Sequence, residues 1–98
     1  MLDRVGKLVY KGWVDDLFVQ AQIFDDPSEY GIASGRISRL AVFTDQSKRT
    51  ELLFYERGWH SPGIPKDSVL RGIVEQMVDV YDGSQVNWSY EQEKKRPS

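Results

Sequence analysis

The chain contains no cysteine, and that absence removes thiol nucleophiles, disulfide staples and every thiolate-ligated metal site at once. It has a single histidine, too few for an imidazole-based zinc site without carboxylates making up the set. Neither sign of charge dominates: 13 Lys and Arg stand against 15 Asp and Glu, for a formal net charge of −2. No global basic field therefore draws the chain to nucleic acid or anionic lipid. No stretch approaches the roughly 18 consecutive apolar residues of a membrane-spanning helix. The opening stretch MLDRVGKLVYKGWVDD scatters its charges and lacks a signal-peptide-like apolar core. A cytoplasmic location with no membrane association is expected. Phosphate-cradling glycine patterns are missing too: Gly31 and Gly35 precede a strand rather than a helix, and the helix start at Asp67 carries a carboxylate. No cofactor is expected.

What is present suits one small domain. With 98 residues, 40% hydrophobic and 29% charged, a chain buries about two-thirds of its unfolded surface on folding and needs no covalent staple. Residues 17–24 (LFVQAQIF) alternate, with Leu17, Val19, Ala21 and Ile23 on one face and Phe18, Gln20, Gln22 and Phe24 on the other, the period of a half-buried strand. Residues 8–14, 36–43 and 51–57 are rich in β-branched and aromatic types and read as strands, joined by polar turns in the manner of an antiparallel meander. Asp15-Asp16 between the first two runs is a hairpin turn in position, although it lacks the preferred glycine. From Lys66 the period becomes helical: Val69, Leu70, Ile73, Val74, Met77, Val80 and Tyr81 share a broad face, Asp67 suits an N-cap and Gly83 a left-handed C-cap. The expected fold is α+β: a single domain over residues 1–98 with its core at about 8–83. An antiparallel sheet of about four strands (8–14, 17–24, 36–43, 51–57) carries one helix (67–81) packed on one face. Val86, Trp88 and Tyr90 alternate and leave a short final strand open, and residues 91–98 (EQEKKRPS) read as a solvated tail.

Chemistry-bearing residues are sparse. His60 is followed by Ser61, but chain neighbours point apart and rarely form a catalytic pair, so a loop histidine is expected. Asp25, Asp26 and Glu29 bracket Pro27, a grouping able to bind a hard cation but without the spacing of a calcium loop; they read as a strand terminator. Asp25, Asp26 and His60 make a hydrolase a distant third reading, and no catalytic or metal-ligating residue is assigned. The arginines Arg36, Arg39 and Arg57, in or beside strands with Trp13, Phe18, Phe24, Phe43, Tyr55 and Trp59, are the most informative group. Such residues suit three roles: structural caps, a protein-binding surface rich in hot-spot types, or a base-stacking sheet with phosphate-neutralising arginines. The RNA-recognition sequence patterns are absent.

The segments Asp26-Pro27-Ser28-Glu29-Tyr30-Gly31-Ile32, Gly35-Arg36-Ile37-Ser38-Arg39-Leu40 and Tyr55-Glu56-Arg57-Gly58-Trp59 resemble a family of small uncharacterised proteins of Gram-positive bacteria and their phages, a domain of unknown function. The similarity spans about residues 12–81. It implies a cytoplasmic, phage-associated setting and brings no activity with it. Gly31 and Gly35 are expected to supply backbone angles closed to other residues. Tyr30, Arg36 and Trp59 are expected to meet, with a guanidinium on an aromatic face. The leading expectation is a non-enzymatic module that binds an unidentified protein partner through a sheet edge or through the loop that carries Glu29 and Tyr30, beside Arg36, Arg39, Arg57 and Trp59. The alternative is a nucleic-acid binder using the three arginines. Self-association through an unprotected edge strand stays open.

Overall fold

Alternation in the second apolar run sets the middle of the sheet. The computed structural model describes residues 2–48, 50–60 and 63–93. Five strands run β1 (Asp3–Gly6), β2 (Val9–Val14), β3 (Leu17–Ile23), β4 (Ile37–Phe43) and β5 (Glu51–Glu56), followed by helices α1 (Ser68–Asp82) and α2 (Trp88–Glu93). The strands form one antiparallel sheet in sequence order, a meander that needs only short connections. In β3, Val19, Ala21 and Ile23 face α1 and are buried, and Gln20 and Gln22 on the other face are half-buried. Asp15 and Asp16 have φ of 50° and 66° and join the paired residues Val14 and Leu17. Two left-handed residues between paired strand ends make a type I′ turn, whose twist suits a hairpin.

Four of the strands and the main helix match the expectation to within a residue or two at each end. The fifth, β1, was not expected. Its four residues are all exposed, so no inward-facing apolar pattern announces it, and it forms by pairing with β2 alone. Residues 86–90 are not a strand. Helix α2 starts at Trp88, with Asn87 capping it: the Asn87 side-chain oxygen accepts from Tyr90 N at 3.2 Å and its carbonyl from Glu91 N at 3.0 Å. The expected solvated tail thus begins inside a helix, and Glu91 is 1% exposed; residues 94–98 lie outside the described residues.

The core lies between the sheet and α1. Ile73, Val74, Met77 and Val78 of α1 are fully buried against Val19, Ile37, Leu40, Val42 and Tyr55. Val69 and Val80, expected on this face, are instead about half exposed, and Val78 takes their place. At about 100° per residue, Val69 and Val80 lie roughly 90° or more from the middle of the arc defined by residues 70, 73, 74, 77, 78 and 81. Asp67 caps α1 by accepting from Val69 N and Leu70 N, and Gly83 closes it at φ 62°. Gly83 needs that left-handed freedom. The opposite sheet face carries a smaller cluster of Phe18, Ala41 and Phe43 with Phe54. Trp13 stands edge-on to Phe18 at 5.4 Å and is largely exposed. Among the described residues no helix is long and apolar enough to cross a membrane.

Candidate functional site: a clamped loop and its exposed Tyr–Arg stack

The β3–β4 connection is irregular, and its backbone groups are satisfied one by one. Ser28 N donates to Gly35 O and Gly31 N to Ser28 O, both at 3.0 Å, while Tyr30 N donates to Ser28 Oγ at 3.1 Å. A single 3₁₀ turn at Ile32–Ser34 follows, and Ile32 drops into the core with no exposure. Gly31 and Gly35 have ordinary φ of −78° and −104°, so unusual backbone angles do not explain them. Space does. A Cβ on Gly31 would lie 2.1 Å from Gly35 O, and one on Gly35 would lie 2.2 Å from Asp82 Oδ2. The left-handed angles fall on Ala33 (56°) and Ser34 (55°) instead, which costs each of them about 1 kcal/mol or more.

Three side chains from other elements hold this loop in place. From β5, the hydroxyl of the fully buried Tyr55 donates to Tyr30 O at 2.6 Å. Burial, with Glu91 and Tyr90 adding to it, pushes the Tyr55 phenol above the usual tyrosine range, so it stays a neutral donor. From α2, Glu91 accepts from Ala33 N at 3.2 Å and from the Trp59 indole N–H at 3.0 Å. From the end of α1, Asp82 accepts from Arg36 N at 3.0 Å and from Arg36 Nε at 3.3 Å, while the Arg36 guanidinium also donates to Tyr81 O. The Asp82 side chain is 7% exposed, and burial of this kind is sustained by donors in reach. Its second oxygen, Oδ2, has no hydrogen-bond partner among the described residues.

What the clamp leaves outside is a pair of hot-spot residue types. The Arg57 guanidinium stacks over the Tyr30 ring at 4.5 Å. Arg57 is itself left-handed at φ 58° and pinned by donating its N–H to Ser38 O at 3.1 Å. Tyr30 and Arg57 are exposed, as is the adjacent Glu29.

The six residues singled out from the sequence therefore separate. Tyr30 and Arg57 meet, with Glu29 beside them. The guanidinium on the tyrosine belongs to Arg57 and not, as expected, to Arg36, because Asp82 draws Arg36 toward the end of α1. Trp59 does not join the stack either: its ring packs edge-on against Tyr55 at 4.7 Å and its N–H is bound by Glu91. Arg39 lies on the uncovered sheet face, 5.4 Å above Phe54 and 3.8 Å from Glu56. The three arginines thus serve three surfaces. His60 packs against Phe54 at 4.6 Å, with Ser61 outside the described residues. Asp25 and Asp26 are exposed on the loop, and no three metal-ligating side chains converge among the described residues.

Two supporting residues escaped sequence reasoning. Asp82 stands one step beyond the last core position of α1, where a polar residue looks like a helix end. Glu91 sits in a charged run that reads as solvated; the one local signal for it is Asn87, a good helix N-cap four residues earlier.

Residues 6–82 match the family described as a domain of unknown function (DUF7678). The chain matches no curated protein and no solved structure.

Proposed function

Because the chain belongs to the DUF7678 family, whose description carries no activity, we propose a function from the surface itself: a non-enzymatic module of the bacterial cytoplasm that binds a protein partner through Tyr30, Arg57 and the β3–β4 loop. A phage-associated setting is part of the same reading and rests on the resemblance of the PSEYGI, GRIS and YERGW segments alone.

The observation that carries it is the left-handed backbone at Ala33, Ser34 and Arg57, three non-glycine residues within one clamped feature. Backbone strain of this kind persists only where surrounding structure over-determines it, and it concentrates at binding and switch sites. Here Tyr55, Glu91 and Asp82 hold the loop that carries Ala33 and Ser34, the bond from Arg57 N to Ser38 O holds Arg57, and the outcome is an exposed tyrosine–arginine pair on a fixed main chain. A preorganised surface loses little conformational freedom on binding, and tyrosine and arginine dominate interface hot spots.

The test is affinity capture from nuclease-treated lysate by the full chain and by variants. A protein bound in stoichiometric amount by the wild type is expected to be lost with Tyr30→Ala and Arg57→Ala and kept with Trp13→Ala, which alters the uncovered sheet face instead. Capture that disappears with nuclease, or that ignores both loop variants, would dismiss this reading.

A further inference from the structure

We infer that the Tyr30–Arg57 stack is an anchor for a carboxylate, so that the partner presents an aspartate, a glutamate or a free C-terminus to it; this rests on the protein-binding reading above. Three other arginines differ from Arg57 in how they are occupied. Arg36 is held by Asp82, Arg39 lies 3.8 Å from Glu56, and Arg71 donates to Pro65 O at 2.7 Å beneath Trp88. Among the described residues, no acidic side chain lies within ion-pairing distance of Arg57, and its guanidinium lies over the Tyr30 ring.

Arginine characteristically lies on an aromatic ring through the flat face of its guanidinium, which leaves the edge for other partners. The edge bears the N–H donors, set in a fork that matches a carboxylate in a bidentate way. Stacking also orients the fork before any ligand arrives. Both halves of the stack are fixed by their main chains: Tyr30 through its N–H to Ser28 Oγ and its carbonyl to the Tyr55 hydroxyl, Arg57 through its N–H to Ser38 O. Both residues remain exposed.

The local charge selects among anions. Glu29 adjoins Tyr30, Asp25 and Asp26 are exposed on the same loop, and the chain carries a net charge of −2. A phosphate dianion or a nucleic-acid backbone meets more repulsion here than a single carboxylate does. A peptide that presents a single carboxylate is therefore the anionic occupant whose charge fits one arginine without an acidic partner.

Peptides selected from a random displayed library against the full chain provide the probe, each remade with its acidic residue as the amide and as phosphoserine. Selected sequences are expected to carry Asp, Glu or a free C-terminal carboxylate at one fixed position. The amide form and Arg57→Gln should each weaken binding about tenfold, and combining them should add little more. Arg57→Lys should recover only part of the loss, since it restores charge without the fork, and Trp13→Ala should change nothing. Unchanged thermal unfolding of the exposed Arg57 variants confirms that the fold is intact. Failure to enrich an acidic position, equal binding of the amide form, or tighter binding of the phosphoserine form overturns the inference. Peptides that depend on Tyr30 but not on Arg57 or on an acid would overturn it while leaving the protein-binding reading in place. Peptides indifferent to both residues would remove that reading as well.

Discussion

At position 55 a phenol is fully buried while donating to a loop carbonyl, and the two facts together make this tyrosine a pH sensor for the fold. Unfolded, a tyrosine ionises near pH 10. In the native protein, burial first and then the nearby Glu91 and Tyr90 raise its pKa above that value. The stabilisation is complete below about pH 10, because both states are then protonated. As the pH climbs further the unfolded chain releases a proton that the folded chain retains, so stability falls, by at most about 1.4 kcal/mol for each pH unit. Urea titrations at pH 7, 10 and 11, followed by tryptophan fluorescence, should show this loss in the wild type. Tyr55→Phe should cost about 1 kcal/mol at pH 7 by removing the bond to Tyr30 O, and should flatten the alkaline decline. An equally steep decline in the phenylalanine variant would assign it to other groups that titrate near and above pH 10.

Asp15 and Asp16 carry a more local cost, at the scale of one hairpin. A type I′ turn needs φ above zero at both central residues, and an Asn-Gly pair meets that need with least strain. The double substitution Asp15→Asn with Asp16→Gly should stabilise the domain by roughly 0.5–1 kcal/mol in thermal or urea unfolding; a destabilised double variant would mean the two carboxylates make a contribution of their own. This hairpin also marks what a linear reading can reach. Its strands were legible because buried Val19, Ala21 and Ile23 alternate with half-buried Gln20 and Gln22 along β3, and α1 because its apolar residues recur at helical spacing between a real N-cap and a real C-cap. Strand β1 was not legible, since all four of its residues are exposed and pairing, not burial, makes it a strand. Helix α2 misled because Val86, Trp88 and Tyr90 alternate over a stretch too short to separate a period of 2 from one of 3.6. The site was half legible for a similar reason. Tyr30 and Arg57 were flagged by residue type, but their pairing depends on Asp82 claiming Arg36, and that contact spans 46 positions of sequence.

Taken over the whole molecule, the family match and the clamp do not end at the same place. The match stops at residue 82, yet Glu91, on α2 beyond it, bonds both Ala33 and Trp59 within the matched region. Trp88 packs 5.9 Å from Trp59, takes Arg71 on its face at 5.0 Å and donates its N–H to Glu75 at 3.0 Å. Helix α2 therefore acts as a strap between the β3–β4 loop, the turn after β5 and the outer side of α1. The fully buried residues of the core all belong to the sheet, the β3–β4 loop and α1, and Trp88 of α2 packs against them only as a partly buried residue. A chain ending at Ser84 is thus expected to fold, but with about 2–4 kcal/mol less stability, from the lost bonds to Glu91 and the exposed indole of Trp59. Native-state hydrogen exchange should locate the change: the Ala33 amide, whose acceptor is Glu91, should exchange much faster, while Val19 and Val42 in the central strands should stay slow, their rates following global stability. Glu91→Ala in the full chain separates the bonds from the bulk of the helix; it retains Trp88 and should speed exchange at the Ala33 amide and the Trp59 indole N–H, the two donors that Glu91 accepts from. If Ala33 remained as protected in both variants as in the wild type, the loop would be holding its left-handed residues by its own internal bonds, and α2 would have no part in shaping the surface that Tyr30 and Arg57 present.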